Sequence, residues 1–257
     1  MLLFSLLVLF GFESKIPPTT ISINKDKIVA EGSATNRATN IRNDSLKIIP
    51  KKEKDSVSYV ERKANIGQLR KRLGEGLRTG DISLDSIKVV FTDHLVDKII
   101  PHWYGTPWSF GGHTAVPNKG EIACGYFIST TLRDMGIKLN RYKLAQQSPI
   151  DEAKIISCGS EIYSVIQENP EKAFQEIDDL TKEGLHFIGF DKGHVGYLLK
   201  RKGELFLIHS NYFSPGSVCM EPLEESRVFK SFSKFHLVDI SNNDVLIKLW
   251  LDNAVIL

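Results

Sequence analysis

Near Gly184 the spacing of apolar residues changes from helical to a period of two or to short apolar runs, and that switch narrows the possible folds more than any other feature of the chain. Ahead of it, Ile66, Leu69, Leu73 and Leu77 predict a basic amphipathic helix over 59–77. Ile87, Val90, Leu95, Ile99 and Ile100 predict a second over 84–100, ending before Pro101. Ile122, Phe127, Ile128 and Leu132 predict a third over 120–135, with Gly136 placed to stop it. Two further helices are expected around 155–167 and 170–182. Beyond Gly184, residues 185–190, 194–199 and 205–209 read as antiparallel strands, and Lys200-Arg201-Lys202-Gly203 makes the turn between the last two. Residues 235–240 and 245–250 read as closing strands. Helices followed by a strand meander imply an α+β fold, with N-terminal helices packed on an antiparallel sheet. No internal repeat is present.

A chain of 257 residues holds one domain of ordinary size with room for an extension. The net charge of +2, with 25% charged residues, supplies no field that would gather nucleic acid. Residues 1–12 (MLLFSLLVLFGF) are almost wholly apolar, too few to span a bilayer and similar to the core of a secretory signal. Segment 1–14 is therefore read as a signal peptide or apolar leader of an exported protein. Residues 15–57, rich in Lys, Asn, Thr, Ser and Asp, read as a flexible linker because they bury too little to offset their ordering entropy. The folded domain is expected over 58–257, as a monomer with no stable membrane span once the leader is removed.

Cys124 follows the turn-rich stretch Gly105-Thr106-Pro107-Trp108-Ser109-Phe110-Gly111-Gly112 and opens the third helix. A thiol in the first helical turn faces unpaired N–H groups and the positive end of the helix dipole, which favour the thiolate. His194 and His209 lie on adjacent predicted strands. Their separation of fifteen positions (209 − 194) across one hairpin lets both rings point to one sheet face. Cys124 as nucleophile, His194 as base and His209 as the residue holding the His194 ring make a complete set for acyl transfer. Asn211, two residues on and on the same side, is the alternative third member. Cys158 and Cys219 are either buried small side chains or a disulfide pair. One thiol and two imidazoles are a set that zinc accepts, yet no Cys-x-x-Cys or His-x-x-x-His pair occurs, so no metal or other cofactor is expected.

These residues resemble the NlpC-type papain-like cysteine peptidases of bacterial cell walls. The family signature runs Gly-x-Pro-aromatic-x-aromatic-Gly-Gly and then a nucleophilic Cys at a helix start. The likeness continues at Gly193-His194-Val195-Gly196-Tyr197-Leu198 and again at Phe206-Leu207-Ile208-His209, covering roughly 99–240. It implies a papain-like fold and hydrolysis of an amide bond, in a peptide or a peptidoglycan stem peptide, through a Cys124 thioester. It also implies a substrate groove walled by Trp108, with Gly112 and Gly193 beside it, and an oxyanion held by the Cys124 N–H.

The chain departs from that pattern at the nucleophile. The family's endopeptidases read Asp-Cys-Ser-Gly, whereas this run is Ala123-Cys124-Gly125-Tyr126. The polar grip on a stem-peptide amine is missing, so the chemistry carries over better than the substrate. A helical insertion is expected at about 149–184, either capping the groove or decorating the domain.

Overall fold

The computed structural model describes residues 57–257; the leader and the linker, up to residue 56, lie outside the described residues. The first helix, α1 (Tyr59–Thr79), starts at a reciprocal cap: Ser58 Oγ accepts from Glu61 N and Glu61 Oε2 accepts from Ser58 N at 2.8 Å. Gly80 ends it at φ 80°, a left-handed conformation natural to glycine. Tyr59 donates to Asp134 at 2.6 Å and accepts from Trp103 Nε1 at 2.9 Å, which pins α1 to the helical layer.

Helix α2 (Leu84–Asp93) does not stop before Pro101 as its sequence suggests. It widens into a π turn (His94–Ile99) and tightens into a 3-10 turn (Ile100–Trp103). Pro101 sits at the start of that last turn, where no backbone N–H is needed. The extension buries Leu95, Ile99, Ile100 and Trp103 completely, each such side chain contributing about 1.5–3 kcal/mol. Helix α3 (Cys124–Asp134) ends against Gly136 at φ 88°. A short helix, α4 (Arg141–Ala145), follows under an Asn140 cap.

The region expected to hold two helices is helix, strand, helix. After α5 (Pro149–Ser157) the chain turns through Cys158 at φ 51° and Gly159 at φ 85°, which breaks helical continuity. Tyr163-Ser164-Val165-Ile166 then forms β1 (Tyr163–Ile166), in keeping with the strand preference of Tyr, Val and Ile. Helix α6 (Pro170–Leu180) follows. Segment 149–184 is thus part of the sheet rather than a purely helical addition.

The meander comprises β2 (Gly184–Phe190), β3 (His194–Arg201), β4 (Glu204–Ser210), β5 (Val218–Pro222) and β6 (Lys234–Asp239). All six strands pair antiparallel in the order β1-β6-β2-β3-β4-β5. The expected strand over 245–250 is instead a helix, α7 (Asp244–Leu251). Asn243 caps it, and Leu246, Ile247 and Trp250 bury one face at helical spacing. The Trp250 indole donates to Met135 O at 2.8 Å, closing α7 onto the end of α3. The observed class is α+β.

Side-chain alternation splits the sheet between two cores. Phe187, Val195, Tyr197 and Ile208 meet the layer of α1, α2, α3, α5 and α7. Ile188, Phe190, Leu198, Leu207 and Phe235 meet a smaller core closed by α6, Val228 and Phe229. Among the described residues no helix is long and apolar enough to cross a membrane.

One buried acid stands out in the helical core. Glu152 on α5 is 1% exposed and its Oε2 has no hydrogen-bond partner. Burial pushes its carboxyl well above the usual carboxylate range, so it is folded in as the neutral acid. As pH rises past the ordinary carboxylate range, the unfolded chain releases this proton while the folded chain keeps it. Stability present below that range is therefore lost at about 1.4 kcal/mol per pH unit until the folded group ionises. Glu152→Gln removes the loss. Denaturant unfolding of parent and variant between about pH 5 and pH 7 should show the variant gaining on the parent by roughly that amount per unit. Parallel curves would contradict the assignment.

Candidate active site

The chain entering α3 is held by backbone bonds rather than side chains. Ile122 N donates to Pro107 O at 2.9 Å and Ala123 N to Gly112 O at 2.8 Å. The same loop is tied to the far side of the sheet: Gly105 N bonds Val218 O, Val218 N bonds Thr106 O, and Trp108 N bonds Gly216 O, all at 2.9 Å. Gly112, expected beside substrate, is buried; a Cβ there would lie 2.6 Å from Ile122 N. Its place in the motif is explained by this close approach, which sets the position of Cys124.

Ala123 is the N-cap of α3 and its methyl group accepts no hydrogen bond, so no side chain caps the first N–H groups of the helix. The N–H groups of Cys124, Gly125 and Val195 all favour the ionised form of the Cys124 sulfur. Val195 directly follows His194. The β3–β4 ladder runs from Tyr197–Ile208 to Arg201–Glu204 and has already ended at this level. The sulfur thus reaches the backbone at the open end of β3, while among the described residues it makes no hydrogen bond to the His194 ring. The Tyr212 ring meets the His194 ring edge-on at 5.3 Å, and its phenol is raised by burial first and then by the nearby Cys124 sulfur when ionised.

Burial outweighs those N–H groups. It pushes the Cys124 thiol up to about 11, with Glu152 adding to the rise. The thiolate expected from the helix terminus is therefore not the resting form; the resting group is a thiol. His194 is held well below the usual histidine range, first by burial and then by His209. His209 is lowered by burial, against which the hydrogen bond and charge of Glu221 act. Both rings are neutral near pH 7.

His194 Nε2 lies 2.9 Å from His209 Nδ1, and His209 Nε2 lies 3.2 Å from Glu221 Oε1. The proton positions follow from this chain of acceptors. The Glu221 carboxylate accepts, so His209 carries its proton on Nε2 and presents a lone pair at Nδ1. That lone pair takes the Nε2–H of His194, which leaves His194 Nδ1 bare. Among the described residues no group hydrogen-bonds His194 Nδ1. A neutral ring held by one nitrogen with the other unprotonated is what a general base requires.

His209 and Asn211 are told apart by their partners. Asn211 Oδ1 accepts from Phe213 N at 2.8 Å and its Nδ2 points at Cys219 Sγ at 3.8 Å, so it orders its own loop. Trp108 lies against Tyr212, ring centroids 5.9 Å apart, and so reaches the neighbourhood of His194. Gly193 is exposed at φ 115°, with open space where a Cβ would be. None of the three cysteines is in a disulfide.

Sequence reasoning missed Glu221 and Tyr212. Glu221 lies on β5, a strand too short and mixed to show alternation; its signal is the diagonal relation to His209, whose cross-strand partner is Cys219. The departure at Gly125 gains a reason: a Cβ there would come 2.7 Å from Ala145 O and 3.0 Å from Glu152 Oε1. The tight packing of α4 on α3 leaves no room for a side chain at this position.

No protein-family model matches this chain, nor does any curated protein or solved structure.

Glu221 acts through His209, so its test must report on proton placement. Glu221→Gln removes the acceptor-only partner and lets His209 adopt the opposite tautomer. The iodoacetamide rate at Cys124, followed residue by residue by mass spectrometry, should fall at least about tenfold, while Cys158 is unaffected. An unchanged Cys124 rate in a folded variant would remove Glu221 from the relay.

Proposed function

We propose that this chain is an exported cysteine hydrolase of the papain-like, NlpC-type kind, cleaving an amide bond through a Cys124 thioester. One observation carries the reading: the Cys124 sulfur meets the N–H of Val195, adjacent in sequence to a histidine whose free nitrogen is selected by a His209–Glu221 relay. The apolar run over 1–12 followed by a polar stretch supports export.

With thiol and imidazole both neutral at rest, proton transfer accompanies attack. Cys124 Sγ bonds the amide carbon while its proton passes to His194 Nδ1. The N–H groups of Cys124 and Gly125, at an uncapped helix start, receive the oxyanion. The amide C–N bond then breaks as the amine leaves with the proton from His194. Water next attacks the thioester, gives a proton to His194 and releases the acid, and the sulfur recovers that proton. Positioned proton transfer of this kind contributes about 10²–10⁴-fold. Trp108 and Tyr212, ring centroids 5.9 Å apart, stand on the His194 side, where substrate would approach. The resemblance supports a peptide or amide of the bacterial envelope as substrate, while Ala123 and Gly125 argue for a grip unlike that of stem-peptide endopeptidases.

The test is digestion of purified peptidoglycan and of simple peptide amides by the parent and Cys124→Ala, with products read by mass spectrometry. New amine and carboxyl ends should form with the parent and fall by at least about 10²-fold in the variant. Iodoacetamide should label Cys124 faster than Cys158 or Cys219. Equal labelling of all three, with no cleavage of any amide, would replace the hydrolase by a binding or scaffold domain. Capture of an added amine in place of water would make it a transferase of the same mechanism.

A further inference from the structure

His209 has a second set of neighbours beyond the relay. Its cross-strand partner on β5 is Cys219, and Glu221 stands two residues further along the same face. One imidazole nitrogen, one thiol sulfur and one carboxylate oxygen from these three residues all lie within 4.8 Å of one another. His209 is fully buried, Cys219 is 9% exposed and the Glu221 side chain 17% exposed.

We propose that His209, Cys219 and Glu221 form a site for one zinc-class divalent cation, and that filling it shuts off the neighbouring histidine as a base. Three protein ligands of N, S and O type with one position left for water suit zinc, whose bonds run about 2.0–2.3 Å. In a tetrahedron those bond lengths put ligand atoms roughly 3.5 Å apart. His209 Nε2 and Glu221 Oε1 already lie 3.2 Å apart, and the set, all within 4.8 Å, closes by about an ångström at most around the cation. Thiolate donors disfavour magnesium and calcium. A divalent cation with one thiolate, one carboxylate and a neutral imidazole sums to zero charge, which a mostly enclosed position between strands can accept.

The coupling follows from proton positions, and this half of the inference rests on the hydrolase reading. A cation takes His209 through Nε2, the nitrogen now facing Glu221, and displaces its proton. His209 Nδ1 must then carry a proton and donate it to His194 Nε2. His194 in turn carries its own proton on Nδ1, the nitrogen that should receive from Cys124. One proton leaves Cys219, and the proton shed at His209 Nε2 is matched by the one gained at His194 Nδ1. The cation touches neither Cys124 nor His194, yet removes the base.

The test titrates the reduced full-length protein with Co²⁺ and then Zn²⁺, following the thiolate-to-cobalt charge-transfer band in parent, Cys219→Ala, Cys219→Ser and Cys124→Ala. One equivalent should bind, and the band should be lost in both Cys219 variants and retained in Cys124→Ala. In the parent, Zn²⁺ should slow iodoacetamide alkylation of Cys124 at least about tenfold; in Cys219→Ser it should not. No stoichiometric binding, or a band that vanishes with Cys124 rather than Cys219, would overturn the site. A bound cation with Cys124 reactivity unchanged would overturn the coupling. A Cys124 that is inert even in metal-free protein would count against the hydrolase and leave the cobalt result standing.

Discussion

Two neutral imidazoles joined across β3 and β4 at 2.9 Å organise everything else at this end of the sheet. Their bond requires both rings on one face, which the hairpin register provides, and both rings to be shielded, which the strands on either side provide. A buried ring N–H left without an acceptor is costly, so the acceptor at the end of the chain, Glu221, sets which nitrogen of each ring carries the proton. The arrangement places the one open lone pair at the end of β3. Backbone bonds from a distant loop bring the sulfur to that same end.

At the Cys124 thiol two opposing effects act, and their magnitudes decide the outcome. A helix terminus contributes about 0.3–1 kcal/mol to a nearby charge, less than one pH unit. Burial of an ionisable group shifts it by up to several units. Placement at the first turn of α3 is therefore insufficient once the sulfur packs against β3, and Cys124 rests protonated. On the hydrolase reading proposed above, such a site stores no charge before substrate arrives, and its reactivity depends on a base aligned in advance.

Strands β2, β3 and β4 were legible because short apolar runs bounded by turn residues, with Lys202-Gly203 between the last two, leave little choice, and the two histidines came with them. The Cys124 helix was legible from its spacing and from Gly136. Residues 245–250 were not, because a continuous apolar run fits strand or helix equally, and the cap at Asn243 decides it. The strand at 163–166 was hidden by helical spacing on either side and revealed only by two left-handed residues in succession. Missing β5 carried the larger consequence. Without it, Cys219 and Glu221 had no address, His209 had no partner, and the choice between His209 and Asn211 stayed open.

The most direct measurement is nitrogen NMR of the metal-free protein with isotopically labelled histidine, assigned by single substitutions. The account predicts neutral rings at His194 and His209, each with its proton on Nε2 and a bare Nδ1. A proton on Nδ1 of His194, or a charged ring at either position near neutral pH, would contradict it.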